Sequence, residues 1–194
     1  QYSIDSGVTW KEGNGTSFSN IADDVYNPLQ IKVRVLDIVG NISNNAENPN
    51  AITIDTVAPN PPNATYPNYI QNNTPINITI DSDVTKWQYS IDSGANWTNG
   101  IGTSFTISVD GNYTPGTIQL KSFDIVDNVS NVFSNPNLVI VDTVGPSKPI
   151  VTLPSAGTNN VSVQLSSDTN SWQYSIDGGN SWTTETNTTF TIQD

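Results

Sequence analysis

Tyr89-Ser90-Ile91-Asp92-Ser93-Gly94-Ala95-Asn96-Trp97 is the middle one of three near-copies of a single short stretch. It occurs earlier as Tyr2-Ser3-Ile4-Asp5-Ser6-Gly7 through Trp10, and later as Tyr174-Ser175-Ile176-Asp177-Gly178-Gly179 through Trp182. The spacing is 87 residues from Trp10 to Trp97 and 85 from Trp97 to Trp182. Other landmarks keep step over the same period. Gly15-Thr16-Ser17-Phe18 returns as Gly102-Thr103-Ser104-Phe105, Asp37-Ile38-Val39 as Asp124-Ile125-Val126, and Asp55-Thr56-Val57-Ala58-Pro59 as Asp142-Thr143-Val144-Gly145-Pro146. Motifs held in fixed order over a full period are the signature of a tandem architecture.

Within each copy the hydrophobic period is two, as in Ile76-Asn77-Ile78-Thr79-Ile80, Val161-Ser162-Val163-Gln164-Leu165 and Ile31-Lys32-Val33-Arg34-Val35. Such alternation predicts strands with one buried face, and no segment sustains a helical period. Gly, Pro and Asn clusters break the strands at the interval expected of a sandwich, giving about seven strands per copy. The Pro-rich runs at 58–67 and 145–149 cannot enter a sheet interior and read as short, stiff linkers. The expected fold is therefore all-β, with tandem immunoglobulin-like β-sandwich domains joined by short Pro-containing linkers.

Counted from linker to linker, residues 59–145 form a complete repeat. Residues 1–58 form a partial repeat without its opening strands, and 146–194 a partial repeat without its closing ones. Incomplete sandwiches leave open edges that demand pairing, so the array is expected to continue past both ends or to be completed by identical neighbouring chains.

Composition narrows the function. Of 194 residues, 18 are acidic and 6 basic, a formal charge of -12 that repels nucleic acid and anionic membrane faces. Cys, His and Met are absent, which removes thiol nucleophiles, thiolate metal sites, imidazole bases and disulfides together. No apolar run is long enough to span a membrane. With no basic-then-apolar leader and no Met at position 1, the sequence reads as an excised or mature segment.

Ser3-Ile4-Asp5-Ser6-Gly7-Val8-Thr9-Trp10 resembles the Asp-box of sialidases and related β-propellers, with Asn96 and Ser181 standing in the Thr place of the later copies. Physically it is a hairpin: the carboxylate accepts N–H groups of its own turn and Gly permits positive φ. A sialidase needs several arginines to grip its substrate carboxylate, and Arg34 is the only arginine here. No enzymatic activity is expected. Trp87, Tyr89 and Ile91 alternate on one strand face with Phe105 nearby and read as core rather than as a sugar platform. Sequons at Asn14, Asn41, Asn63, Asn77, Asn96 and Asn112 arise easily in an Asn- and Thr-rich chain.

Taken in order, Trp-Gln-Tyr-Ser-Ile-Asp-x-Gly with its following Trp, Gly-Thr-Ser-Phe, an Asp-x-x-(Gly)-Asn-x-Ser turn and Asp-Thr-Val-(Ala/Gly)-Pro resemble the bacterial immunoglobulin-like repeats of giant type I-secreted surface adhesins, of the biofilm-associated and SiiE-like kinds. The resemblance spans the whole chain, with one departure: the turn glycine is Gly40 in the first copy but Asp127 in the second. It implies an extracellular stalk at the bacterial surface, supporting attachment or biofilm formation. Any host-surface or glycan ligand would bind through other domains. It also implies calcium at the domain junctions.

The residues point the same way. In an immunoglobulin-like sandwich the loops after the second strand and before the last strand share one pole. They carry Asp81 and Asp83, and Asp124 and Asp127, while the preceding repeat ends at Asp55. These carboxylates are expected to converge and to hold Ca²⁺, with Asn128 and the carbonyls of Thr56 and Val57 completing the shell. Asp142 and Asp168 would begin a second such site. The alternative reading of the acids is that they cap turns. Two other functions remain open: a filament or surface-layer subunit assembled by strand complementation, and a carbohydrate-binding module.

Overall fold

Ile76 and Ile78 point inward while Asn77 and Thr79 face water, and this alternation recurs from strand to strand. The computed structural model describes residues 1–19, 21–71, 74–152 and 160–191, and every regular element among them is a strand. The first stretch forms β1 (Tyr2–Ser3), β2 (Asp24–Tyr26), β3 (Lys32–Val33), β4 (Ala46–Glu47) and β5 (Ile52–Ile54). The middle stretch forms β6 (Asn63–Ala64), β7 (Tyr69–Ile70), β8 (Ile76–Thr79), β9 (Lys86–Ser90), β10 (Thr98–Asn99), β11 (Ser104–Phe105), β12 (Gly111–Tyr113), β13 (Gln119–Phe123), β14 (Phe133–Ser134) and β15 (Val139–Val141). The last stretch forms β16 (Ile150–Thr152), β17 (Asn160–Gln164), β18 (Trp172–Tyr174), β19 (Thr183–Glu185) and β20 (Thr189–Thr191). The chain divides into two compact units, Gln1–Val141 and Asp142–Asp194.

In the middle stretch one sheet runs β10-β9-β13-β14, a second β11-β8-β6 and a third β12-β15-β7. Their inner faces enclose a single core of Ile76, Ile78, Trp87, Phe105, Ile118, Leu120 and their neighbours. The fold is all-β with sandwich character. Two details are typical of immunoglobulin-like sandwiches. β7 runs parallel to β15, with Ile140 opposite Tyr69 and Val141 opposite Ile70. Tyr113, the last residue of β12, reaches back to donate its hydroxyl to the Val109 carbonyl at 2.9 Å. Tyr26 makes the same corner at the end of β2, donating to Ala22 O at 2.9 Å.

The hairpin that follows is pinned by a buried amide. Asn135 Oδ1 accepts the Ile118 N–H at 2.8 Å, and its Nδ2 donates to the carbonyls of Tyr113, Thr114 and Asn137. Asn48 repeats the arrangement in the first stretch, accepting from Ile31 N at 2.8 Å and donating to Asn27 O and Asn50 O. Trp87 donates its indole N–H to Gly102 O at 2.9 Å and lies flat against Gly100, where a Cβ would come within 2.0 Å of the ring.

Two outcomes follow for urea unfolding. Asn135→Ala is expected to cost on the order of 3 kcal/mol, because the Ile118 N–H keeps no acceptor in a dry site. Gly100→Ala is expected to cost roughly 1–3 kcal/mol by overpacking against Trp87. A midpoint unchanged in either variant would contradict the packing described.

Candidate functional site

Each copy of the Ser-x-Asp-x-Gly stretch closes the same hairpin around one carboxylate. In the first, Asp5 accepts from Thr9 N at 2.8 Å, from Thr9 Oγ1 at 2.5 Å and from Ser3 Oγ at 2.7 Å. In the second, Asp92 accepts from Asn96 N at 2.9 Å, Asn96 Nδ2 at 2.7 Å and Ser90 Oγ at 2.6 Å. In the third, Asp177 accepts from Ser181 N at 3.0 Å, Ser181 Oγ at 2.5 Å and Ser175 Oγ at 2.7 Å. Thr, Asn and Ser interchange because each brings a backbone and a side-chain donor to the same oxygens. The turn needs left-handed backbone at two successive positions, Ser93 (φ 60°) and Gly94 (φ 87°) in the second copy and Gly178 and Gly179 in the third. The motif is thus a structural turn in all three places.

The pole of the middle stretch is a different kind of site. The segment leaving β5, residues 55–60, runs onto the end where the loop between β8 and β9 meets the loop between β13 and β14. Asp124, only 3% exposed, organises the second loop. Its Oδ1 accepts Val126 N and Asn128 N at 2.9 Å each, and its Oδ2 accepts Asn128 Nδ2 at 2.8 Å. So oriented, Asn128 Nδ2 also donates to the Asp55 carbonyl at 2.9 Å and lies 3.4 Å from the Val57 carbonyl. Ser122 Oγ donates to Asn60 O at 2.7 Å, and Asn60 Nδ2 donates to Asp81 Oδ2 at 2.7 Å. Thr85 Oγ1 donates to Asp124 O at 2.7 Å and ties the two loops together. The first stretch builds the same loop alone: Asp37 accepts Val39 N, Asn41 N and Asn41 Nδ2. Gly40 and Asp127, which differ between the copies, share left-handed backbone at φ 92° and 69°.

These bonds engage several of the acids expected to bind calcium. Among the described residues, no three acidic side chains are grouped so as to hold a metal ion. Asp124 accepts three hydrogen bonds within its own loop, and Asp127 pairs with Lys86 Nζ at 2.6 Å. Asp55 Oδ1 accepts the Val57 N–H at 3.0 Å, so it is the Asp55 carbonyl, not its carboxylate, that reaches Asn128. Asp81 binds Asn60, and Asp83 is exposed in the turn beside it. In the second unit Asp142 Oδ1 accepts Val144 N at 3.1 Å, and Asp168 is exposed in the turn closed by Ser166 and Thr169. The donor set therefore does not fit a calcium cage in this arrangement. Asn128, expected as an oxygen ligand, presents its amino group to the carbonyls.

No protein-family model and no curated protein matches the chain. What the pole can do follows from its chemistry: it grips the backbone of the incoming segment through neutral donors, with Asp124 as the fixed anchor. Lys86, Asn60 and Ser122 were not legible as parts of it from sequence. Trp87 and Phe105 are core, as the alternation indicated, with Tyr89 and Ile91 packed against them. Trp87 and Phe105 are buried, Tyr89 stacks on Phe105 at 4.6 Å, and Lys121 Nζ covers Trp97 at 3.9 Å from the ring centre.

The turn carboxylates titrate low. The Thr9 hydroxyl, then its N–H and the Ser3 hydroxyl, draw Asp5 from 3.8 to about 2. The Ser90 hydroxyl and then the Asn96 N–H and amide do the same for Asp92, to about 2. Burial works against ionisation of Asp124, yet the Asn128 side chain and the loop N–H groups hold it below the ordinary range. A depressed carboxyl stabilises the fold above its unfolded pKa, and that contribution is lost as pH falls through the folded one. Asp5 and Asp92 are therefore expected to remain charged at pH 3 in a carboxyl NMR titration. Their hairpins should loosen only between about 4 and 2, and midpoints near 3.8 would contradict the hydrogen bonding described.

Proposed function

We propose that the chain is a run of stalk repeats from a bacterial cell-surface adhesin, extracellular and without enzymatic activity, which spaces a ligand-binding region from the surface and supports attachment or biofilm formation. The observation that carries this reading is the Asn128 bond to the Asp55 carbonyl. It makes the end of one repeat part of the loop structure of the next, as a spacer that must hold direction requires. The recurrence of the Asp-x-x-x-Asn loop at Asp37 and Asn41 supports the same grip at successive junctions. An acidic surface without cysteine suits a long array that must remain separate from its neighbours in solution.

Removing the grip should add bending without unfolding. Asn128→Ala is expected to shorten the mean end-to-end distance in small-angle scattering of the chain while leaving the melting temperature within a few degrees; an unchanged scattering profile would remove the junction from the proposal. Because Asp124 is engaged by its own loop and Asp127 by Lys86, chelation is expected to leave both melting and scattering unchanged. A fall of several degrees with chelator, restored by Ca²⁺, would return calcium to the junction.

A second reading, a filament or surface-layer subunit completed by neighbouring chains, is favoured by one observation. Val33 of the first stretch is 37% exposed, whereas its counterpart in the middle stretch, Leu120, is fully buried. A purified chain that sediments as an open-ended polymer would support it, and a monomer would favour the stalk.

A further inference from the structure

Asn-Gly occurs twice in the chain, at Asn14-Gly15 and at Asn99-Gly100. The pair carries its own chemistry, because a glycine nitrogen with no Cβ beside it can close on the side-chain carbonyl carbon of the asparagine before it. Both asparagines are exposed, so access to water does not separate them. The hydrogen bonding of the glycine that follows each one does.

Asn99 closes β10 and lies opposite Gln88 of β9, whose Nε2 donates to Asn99 Oδ1 at 2.9 Å. The nitrogen that would attack is Gly100 N, and its N–H is given to Trp87 O at 2.9 Å. Gly100 also lies under the Trp87 ring. Cyclisation there requires the edge of the sheet to open first.

Asn14 sits between Gly13 and Gly15 in an exposed turn outside any strand. Among the described residues none accepts the Gly15 N–H and none binds the Asn14 side chain. Gly15 has φ 77°, and nothing lies within 4 Å of where its Cβ would be. The complete middle sandwich keeps the same turn open. There Gly102, equivalent to Gly15, has φ 63° with its own Cβ position clear, and Ile101, equivalent to Asn14, is 89% exposed. The openness of Asn14 is thus a property of this turn in the sandwich. The residue is not shared, since the position is Ile101 in the middle copy and Thr186 in the last.

We propose that Asn14 is a site of spontaneous modification in the folded chain, converting to isoaspartate and aspartate through a succinimide while Asn99 keeps its amide. Base takes the proton from Gly15 N, the nitrogen attacks Asn14 Cγ, and the Cγ–Nδ2 bond breaks with release of ammonia. Water then opens the ring. Attack at the Asn14 backbone carbonyl leaves the chain running through the side chain as isoaspartate, and attack at Cγ restores an ordinary peptide bond with aspartate. The balance is one water in and one ammonia out, with no oxidant or reductant. Either product adds one negative charge to a chain already at -12. The isoaspartate also lengthens the backbone of a turn that has room for it, so the change accumulates without unfolding the hairpin. It marks the age of the first copy alone, and it holds whatever the chain does.

The test ages the full chain, folded, in mildly acidic and mildly alkaline buffer, and a matched sample unfolded in urea. Peptide mapping by mass spectrometry follows amide loss at both asparagines, and electron-transfer fragmentation separates isoaspartate from aspartate. In the folded chain Asn14 is expected to convert with isoaspartate as the larger product, faster at the higher pH because the attacking nitrogen must lose its proton. Asn99 is expected to react roughly 30-fold more slowly or less, since opening of a paired edge must come first. In urea the two rates should become similar. The proposal is overturned if Asn14 keeps its amide in the folded chain, or if Asn99 reacts as fast as Asn14 there. It is likewise overturned if Asn14 yields aspartate alone, which would mean direct hydrolysis without the Gly15 nitrogen.

Discussion

The carboxamide of Asn135, sealed from water, is the contact on which the middle sandwich depends. It binds four backbone groups from three segments, and through the Ile118 N–H it fixes where the strand carrying Leu120 and Lys121 begins. That starting point sets the pairing of β13 with β9. The pairing in turn decides that Leu120 fills the core and that Ser122 and Asp124 arrive at the pole. A buried amide makes an exacting anchor, because any displacement leaves donors and acceptors unpaired in a low-dielectric setting. Asn48 holding Ile31 in the first stretch shows that the device is shared by both copies.

Asn135, Asp92 and Asp124 divide one task. With no cysteine in the chain, no disulfide can fix its long connections. Here, short polar side chains bind backbone across each turn. Asp92 closes the tight hairpin, Asn135 pins the long one, and Asp124 rigidifies the loop that meets the preceding segment. The abundance of Asn, Asp, Ser and Thr in the sequence therefore has a mechanical meaning: these are the residues whose side chains reach neighbouring N–H and C=O groups.

Much of this was legible in the sequence. The strand period at Ile76–Thr79, the turn function of Ser-x-Asp-x-Gly and the core role of Trp87 all depend on neighbours within a few residues, where pattern is informative. The pole was legible only in outline. Loop positions placed Asp81, Asp124 and Asp55 at one end, but their orientation depends on contacts distant in sequence. Lys86 neutralises Asp127 across the sheet, Asn60 takes Asp81 from 21 residues away, and Asn128 spans 73 residues to Asp55. Counting charges along the chain gives like charge without its partners. It also hides that a carboxylate already accepting three hydrogen bonds, as Asp124 does, is turned toward its own loop.

The parallel pairing of β7 with β15 has a consequence for a chain under tension. These strands lie near where the polypeptide enters and leaves the middle sandwich, so a pull on the two ends draws them in opposite directions along their length. The hydrogen bonds between them are then loaded side by side in shear and must give way together, rather than peeling open one after another as a hairpin does when pulled from its mouth. A module tied off in this way resists stretching better than its response to heat or urea alone would suggest.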